Sequence, residues 1–229
     1  TWNKLTQFNP RGLNTLFTRL SDHTNEGEII QSHKKKAIET GIILAKGTLI
    51  VTTDADCLFP VDWLITIARF YEKNNATFIA APVRITATSS LLSVFQTLDF
   101  LTLQGITGAS VFKRIHSMCN GANLAYEKAA FMEVGGFKGI DDIPSGDDML
   151  LMHKIYRKYP ENVFYLKSSA AIVSTAAMSS WKQFSHQRIR WASKSGIYDD
   201  KRIVGVLLLV YVLNFCFLIL GIAAFFSPT

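Results

Sequence analysis

The chain has 229 residues, 48% of them hydrophobic, and a formal charge of +6, enough apolar material to core one large or two small domains. Its basic residues are not gathered into a module with interleaved stacking aromatics, which argues against nucleic acid and leaves an anionic membrane surface or a phosphorylated substrate as partner. Cys57, Cys119 and Cys216 have no metal-ligand spacing and fit a reducing compartment. The sequence opens on Thr1, not Met, and stops just after an apolar run, so it reads as a piece of a longer protein.

In chain order, residues 1–33 are polar and irregular, with turn signals around a possible short strand near 16–20. From 33 to 46, Ala37, Ile38, Gly41, Ile42 and Ala45 recur at helical spacing, and Gly47 stands where a C-terminal cap belongs. Lys34, Lys35 and Lys36 open this helix, at the wrong end for its dipole unless an anion lies nearby; a solvated basic face is the other reading.

A β-rich run over 48–51 then leads into Thr52-Thr53-Asp54-Ala55-Asp56-Cys57. Alternate residues of a strand point to one side, so Asp54 and Asp56 can converge. Two hard oxygen ligands suit a divalent cation that itself carries phosphates, although an isolated Asp-x-Asp is also an ordinary polar turn. Pro60 marks a first helical turn, with Trp63, Leu64, Ile67, Ala68, Phe70 and Tyr71 on a buried face, and 77–83 reads as the next strand. Helix, strand, helix, strand predicts an α/β layered sheet whose ligands gather beyond the carboxyl ends of strands, where Asp54 and Asp56 sit.

Residues 91–112 are largely apolar with Asp99 as their only charge. Asp99, Gln96, Gln104 and two glycines favour a helix against the core or the membrane surface over a span. Asn120-Gly121-Ala122-Asn123 is a turn into a short strand, followed by a helix over 128–134 that ends at Gly135-Gly136. Asp147 and Asp148 open another helix, where its dipole stabilises them; one of them could serve as a general base. After strands at 162–167 and 171–174, a helix over 180–191 would put Gln187, Arg190 and Trp191 on one face. An amide, a guanidinium and an indole there suit a diphosphate and a sugar, or simply an amphipathic surface helix. His153 and His186 read as ordinary polar positions. Residues 203–226 are 24 in a row without charge, long enough to cross a hydrocarbon core of about 30 Å, with a buried core helix as the alternative. The excess of Lys and Arg before that run predicts a cytoplasmic side for the preceding domain.

Taken in this order, the lysine-opened helix, Asp54-Ala55-Asp56, the Asn120-Gly121 turn, Asp147-Asp148, Gln187-x-x-Arg190-Trp191 and a terminal apolar run resemble the membrane-bound, inverting glycosyltransferases of family 2. That group includes cellulose, chitin and hyaluronan synthases, and the resemblance covers roughly residues 33–226. It implies a GT-A-like, Rossmann-like layered α/β sheet followed by a C-terminal transmembrane helix: 1–33 an irregular remnant, 34–200 the catalytic domain with interfacial helices, 203–226 the span. It implies an integral membrane protein acting on a nucleotide-sugar donor and a glycan or lipid-linked acceptor, with membrane lipids as partners and no nucleic acid.

By the same resemblance, Asp56, with Asp54 beside it, would bind Mg²⁺ or Mn²⁺ on the donor diphosphate. Asp54, Lys36, Gln187 and Arg190 would contact the donor. Asp148 would be the catalytic base, and Asp147, Trp191, Asn120 and Gly121 would border the acceptor. Such families begin with a base-recognition strand and an acidic nucleotide-binding loop well upstream of the lysine-opened helix; Asp22-His23-Thr24 lies too close to Lys36 to be that loop, so the strand is expected to be missing. Two other functions are compatible with these residues: a metal-dependent nucleotidyltransferase and a non-catalytic, membrane-tethered nucleotide-sugar-binding module.

Overall fold

The structure, a computed structural model, describes residues 14–25, 27, 30–115, 118–141 and 146–192, together with scattered positions between 205 and 226. It divides into two compact units, Thr1–Lys46 with Phe137–Ser145, and Gly47–Gly136 with Gly146–Thr229.

The first unit is built on helix α1 (His33–Leu44). The strand expected near 16–20 is absent, and Leu20–His23 form a single 3-10 turn instead. The helix also ends earlier than its spacing suggests. Ala45, in extended conformation, donates its N–H to the Gly41 carbonyl at 2.9 Å, so Gly47 is not the cap. Of the three lysines that open α1, Lys34 is exposed, Lys36 is half-buried and Lys35 is 2% exposed. Lys35 Nζ donates to the Ile140 carbonyl, so its aliphatic stem is buried while the ammonium keeps an acceptor.

The second unit carries a four-stranded sheet in the order β1 (Leu49–Thr52), β4 (Leu124–Glu127), β2 (Phe78–Ala80), β5 (Val163–Tyr165). β4 runs antiparallel to β1 and to β2, while β2 and β5 are parallel. Thr52 and Ala80 both face Leu124, and Ala80 faces Tyr165. The carboxyl ends of β1, β2 and β5 and the amino end of β4 therefore meet at one end of the sheet. A second, parallel pair, β3 (Val83–Thr86) with β6 (Val173–Ala176), is extended by an antiparallel bridge from Leu58 to Ser174.

The strand expected over 77–83 is thus two strands in two sheets. Pro82, which has no N–H to give a ladder, lies at the crossing. The extended stretch expected at 171–174 likewise starts later, because Ser169–Ala171 form a 3-10 turn.

Helix α2 (Trp63–Asn74) packs Trp63 and Ile67 into a core with Ile79, Ala125, Leu166 and Val173. Leu64, expected on that face, is 56% exposed. Pro60 stays outside the helix and offers its carbonyl to the Trp63 N–H.

Helix α3 (Leu91–Phe112) buries a mixed face, with Leu92 and Val111 among polar residues, and exposes an apolar one. Its inner face holds Ser93, Gln96, Phe100, Gln104, Thr107 and Ser110, while Leu91, Val94, Phe95, Leu98, Leu101 and Phe112 point outward. The buried amides are used as brackets. Gln104 Oε1 accepts the Val83 N–H, and Gln96 both accepts from the Met178 N–H at 2.8 Å and donates to the Met178 carbonyl at 3.0 Å. Buried polar groups are tolerable on these terms. Gly108 lets the Tyr165 ring close on the helix, since a Cβ there would stand 3.1 Å from that ring. Among the described residues no helix is long and apolar enough to cross a membrane; the run at 203–226 lies, apart from scattered positions, outside them.

The shorter helices are α4 (Lys128–Glu133), followed by Gly135 and Gly136 at positive φ, and α5 (Asp147–Lys158). Helix α6 (Trp181–Ala192) closes the described core.

Candidate functional site

β1 stops at Thr52, and the two carboxylates sit on a turn just beyond it, closed by the Cys57 N–H donating to the Asp54 carbonyl at 3.2 Å. The expectation that strand alternation aims them together is therefore corrected. Both lie on a turn beyond the strand, with Asp54 half-buried and Asp56 exposed, and both carboxylates act on the Cys57 thiol. Cys57 Sγ lies 3.8 Å from Asp56 Oδ1, and its thiol is pushed up by burial first and then by the charges of Asp56 and Asp54.

The antiparallel pairing of β1 with β4 brings the Asn120-Gly121 turn to the same end of the sheet. Asn120 Oδ1 accepts the Ala122 N–H at 3.0 Å and shapes the turn. Behind it, the fully buried Asn123 accepts from the Trp63 indole N–H and donates to the carbonyls of Pro82 and Ala171.

Helix α5 then delivers the acidic pair. Gly146 precedes it at φ +83°, a backbone conformation that favours glycine. Asp148 accepts the Met149 N–H on Oδ1 at 2.8 Å and the Gly121 N–H on Oδ2 at 2.9 Å. These two backbone donors fix the orientation of the carboxylate. Asp147 is buried. The neighbouring Cys119 thiol is pushed well up, by burial first and then by Asp148 and Asp147.

Helix α6 is held by α3 side chains. Phe95 packs on Trp181 and Phe184, Gln96 holds Met178, Asp99 pairs with Arg188, and Phe100 meets Trp191 with ring centroids 6.2 Å apart. The single face expected for Gln187, Arg190 and Trp191 is split: Gln187 and Trp191 are half-buried while Arg190 is exposed. A helix turns about 100° per residue, so Phe184, Arg188 and Trp191 share the inward stripe that Arg190 leaves.

One small cluster unites these parts. Val83, Ile85, Phe100 and Ala122 form its buried core, and Cys57, Ala177 and Trp191 pack on it. Residues following Asp56 and Gly121, and the last of the Gln-Arg-Trp motif, therefore share neighbours, and Gly121 brings in Asp148. A groove of about 460 Å³ runs beside Phe100 between Val83–Ala87 and Thr97–Leu101. Lys36 belongs to the first unit, on α1.

Sequence reasoning passed over Asn123, Arg188 and the use of Asp99. Asp99 carried a signal, as the single charge in an apolar helix, but its partner lies 89 residues away. Arg188 lay inside the motif and was hidden by the spacing of the residues around it.

A mixed sheet with a two-carboxylate turn at one strand end, an oriented carboxylate at a helix start and a basic, tryptophan-bearing helix on the same cluster defines an α/β group-transfer fold of GT-A type. Residues 49–229 match the family described as Glycosyl transferase family group 2, and the chain belongs to that family. No curated protein matches it. Family membership supports a glycosyltransferase activity in general.

Asp54 and Asp56 fit a divalent cation by donor chemistry, since Mg²⁺ takes one or two carboxylates and completes its shell with water and substrate phosphate. Among the described residues no three His, Cys, Asp or Glu side chains cluster, so water and diphosphate oxygens would have to supply the remaining ligands.

Proposed function

We propose that the protein moves a sugar from a nucleoside-diphosphate sugar to a glycan or lipid-linked acceptor at a membrane, with inversion at the anomeric carbon. The observation that carries this reading is the 2.9 Å hydrogen bond from the Gly121 N–H to Asp148 Oδ2, which joins the turn assigned to the acceptor with the residue assigned as base.

Asp148 accepts the proton of the acceptor hydroxyl as that oxygen bonds to the anomeric carbon and the bond to the diphosphate breaks. A single displacement from the opposite face inverts the centre. Asp147 and the Asn120-Gly121 turn border the acceptor, and Trp191 offers its ring to the sugar's C–H face. Gln187 and Arg190 meet the diphosphate, where Arg190 stabilises the charge that builds on the leaving oxygen. Lys36 serves the nucleotide. Asp56 and Asp54 would hold Mg²⁺ or Mn²⁺, which when bound neutralises charge on the diphosphate.

Membrane lipids are the second partner. The outward apolar face of α3, the uncharged run 203–226 and the Lys and Arg residues before it support an integral membrane protein with its catalytic part on the cytoplasmic side.

The test is a nucleotide-sugar screen on the full-length protein in membranes, reading both the released nucleotide and the product. Release of a nucleoside diphosphate, with transfer lost about 10²–10⁴-fold in Asp148→Asn while donor binding persists, is the expected result. Release of pyrophosphate, or wild-type transfer in Asp148→Asn, overturns the reading.

A further inference from the structure

We propose that Asp99 and Arg188 are positioning residues for transfer: their ion pair between α3 and α6 sets where Trp191, and with it Gln187 and Arg190, stands relative to Asp148. The inference rests on the function proposed above and adds two residues to it.

Helix α6 meets α3 through side-chain contacts, and Trp191 also packs on the cluster that holds Val83, Ile85 and Ala122. Most of them are apolar and non-directional. Phe95 against Trp181 and Phe184, and Phe100 against Trp191, would tolerate a small rotation or slide. The Asp99–Arg188 pair is directional. Arg188 Nη2 donates to Asp99 Oδ2, with the two side chains only 22% and 25% exposed.

The guanidinium carbon also lies 4.7 Å from the Phe184 ring centre and 4.4 Å from that of Trp191, within reach of cation–π attraction to both rings. Where Asp99 holds Arg188, Arg188 holds the Trp191 indole. Nε and Nη1 are buried and have no hydrogen-bond partner among the described residues, so Asp99 supplies the one acceptor that keeps this cation under the rings. Burial pulls the guanidinium's proton affinity down and Asp99 opposes that shift. Without the carboxylate, a half-desolvated cation is drawn toward water and away from Trp191.

A pair of this kind adds little net stability, because its desolvation cost offsets much of the Coulomb gain. Its consequence is geometric, and misplacement of a positioning group by about 1 Å can cost about 10²-fold in rate.

The experiment uses the full-length protein in membranes, labelled with 5-fluorotryptophan. The resonances of Trp63, Trp181 and Trp191 are assigned by single Trp→Phe changes, with Trp63 as the reporter of an intact core. In Asp99→Asn and in Arg188→Met the Trp191 resonance should move while that of Trp63 stays. In the same variants kcat should fall about tenfold or more with donor KM within about threefold. Asp99→Glu should recover most of the loss. Arg188→Lys keeps the charge without the planar fork, so it should recover little. The double variant Asp99→Asn with Arg188→Met should be no worse than Arg188→Met alone. An unmoved Trp191 resonance, an unchanged kcat, or additive losses in the double variant overturn the proposal. Absence of any sugar transfer by the wild type would sink the proposed function instead, while the fluorine spectra would still decide whether the pair holds Trp191.

Discussion

The two sides of the candidate site are held in different ways. On the carboxylate side, Asp54, Asp56, the Asn120-Gly121 turn and Asp148 hang on main chain: a strand end, a ladder register and two backbone N–H donors to Asp148. On the opposite side, Gln187, Arg190 and Trp191 stand on a helix attached through side chains of α3. Main-chain attachment is insensitive to most substitutions, whereas side-chain attachment is only as good as each contact. The first side should therefore fail by loss of chemistry and the second by loss of geometry.

The largest effect that would sharpen this contrast is Asp56→Ala. Metal-dependent donor binding should weaken about tenfold or more, by titration with a nucleotide sugar and Mg²⁺, with the fold intact because Asp56 is exposed. Unchanged binding would remove Asp56 from the donor site.

Next comes Gln96→Leu, which leaves the Met178 N–H and carbonyl without their amide partner. A cost of about 1–3 kcal/mol follows for each group left buried and unmet. Thermal unfolding should shift down, and amide exchange should speed up at 178–181 before it does in β4. Equal acceleration in both places would break the comparison.

Leu98→Glu tests the outer surface of α3, where Leu98 is 61% exposed. In the membrane-embedded protein, hydrogen-exchange protection of α3 by anionic lipid should fall while unfolding stays put. A shift in unfolding without a change in that protection would show that this face packs on protein.

The smallest effect concerns Cys119. Its thiol is raised by burial, then by Asp148 and Asp147, so at neutral pH it holds less thiolate than an ordinary cysteine and should alkylate more slowly in the folded protein than after unfolding. In Asp148→Asn one of the two repelling charges is gone, so its alkylation should quicken.

Much of this was legible in the sequence, and what was not has physical reasons. The helix over 91–112 was readable to the residue, and so were the turn at Asn120-Gly121 and the helix start at Asp147, because local periodicity and glycine punctuation encode them. Strand 77–83 was misread because every residue in it is buried or nearly so, and only Pro82 hints that the chain changes sheets. The inward side of α3 could not be read by hydrophobicity, since glutamines and hydroxyls are buried there beside Leu92, Phe100 and Val111 while Leu91, Leu98 and Leu101 are exposed. Nor could the Asp99–Arg188 pair, which links two helices with no sequence relation. The order of the motifs was legible as a resemblance, and the family match over residues 49–229 carries the membership; the exposure of Arg190 beside a half-buried Gln187 needed three dimensions.

The side chain of Asn123 has a consequence for anyone who would transplant this site. It ties together the indole of Trp63, the carbonyl at the crossing between the two sheets and the carbonyl of Ala171. No two-segment graft carrying only the aspartate turn and the glycine turn would retain that knot. The smallest transferable piece must include α2, the Ala81-Pro82 crossing and the segment before β6, and a scaffold that cannot host all three will not hold the turn in place.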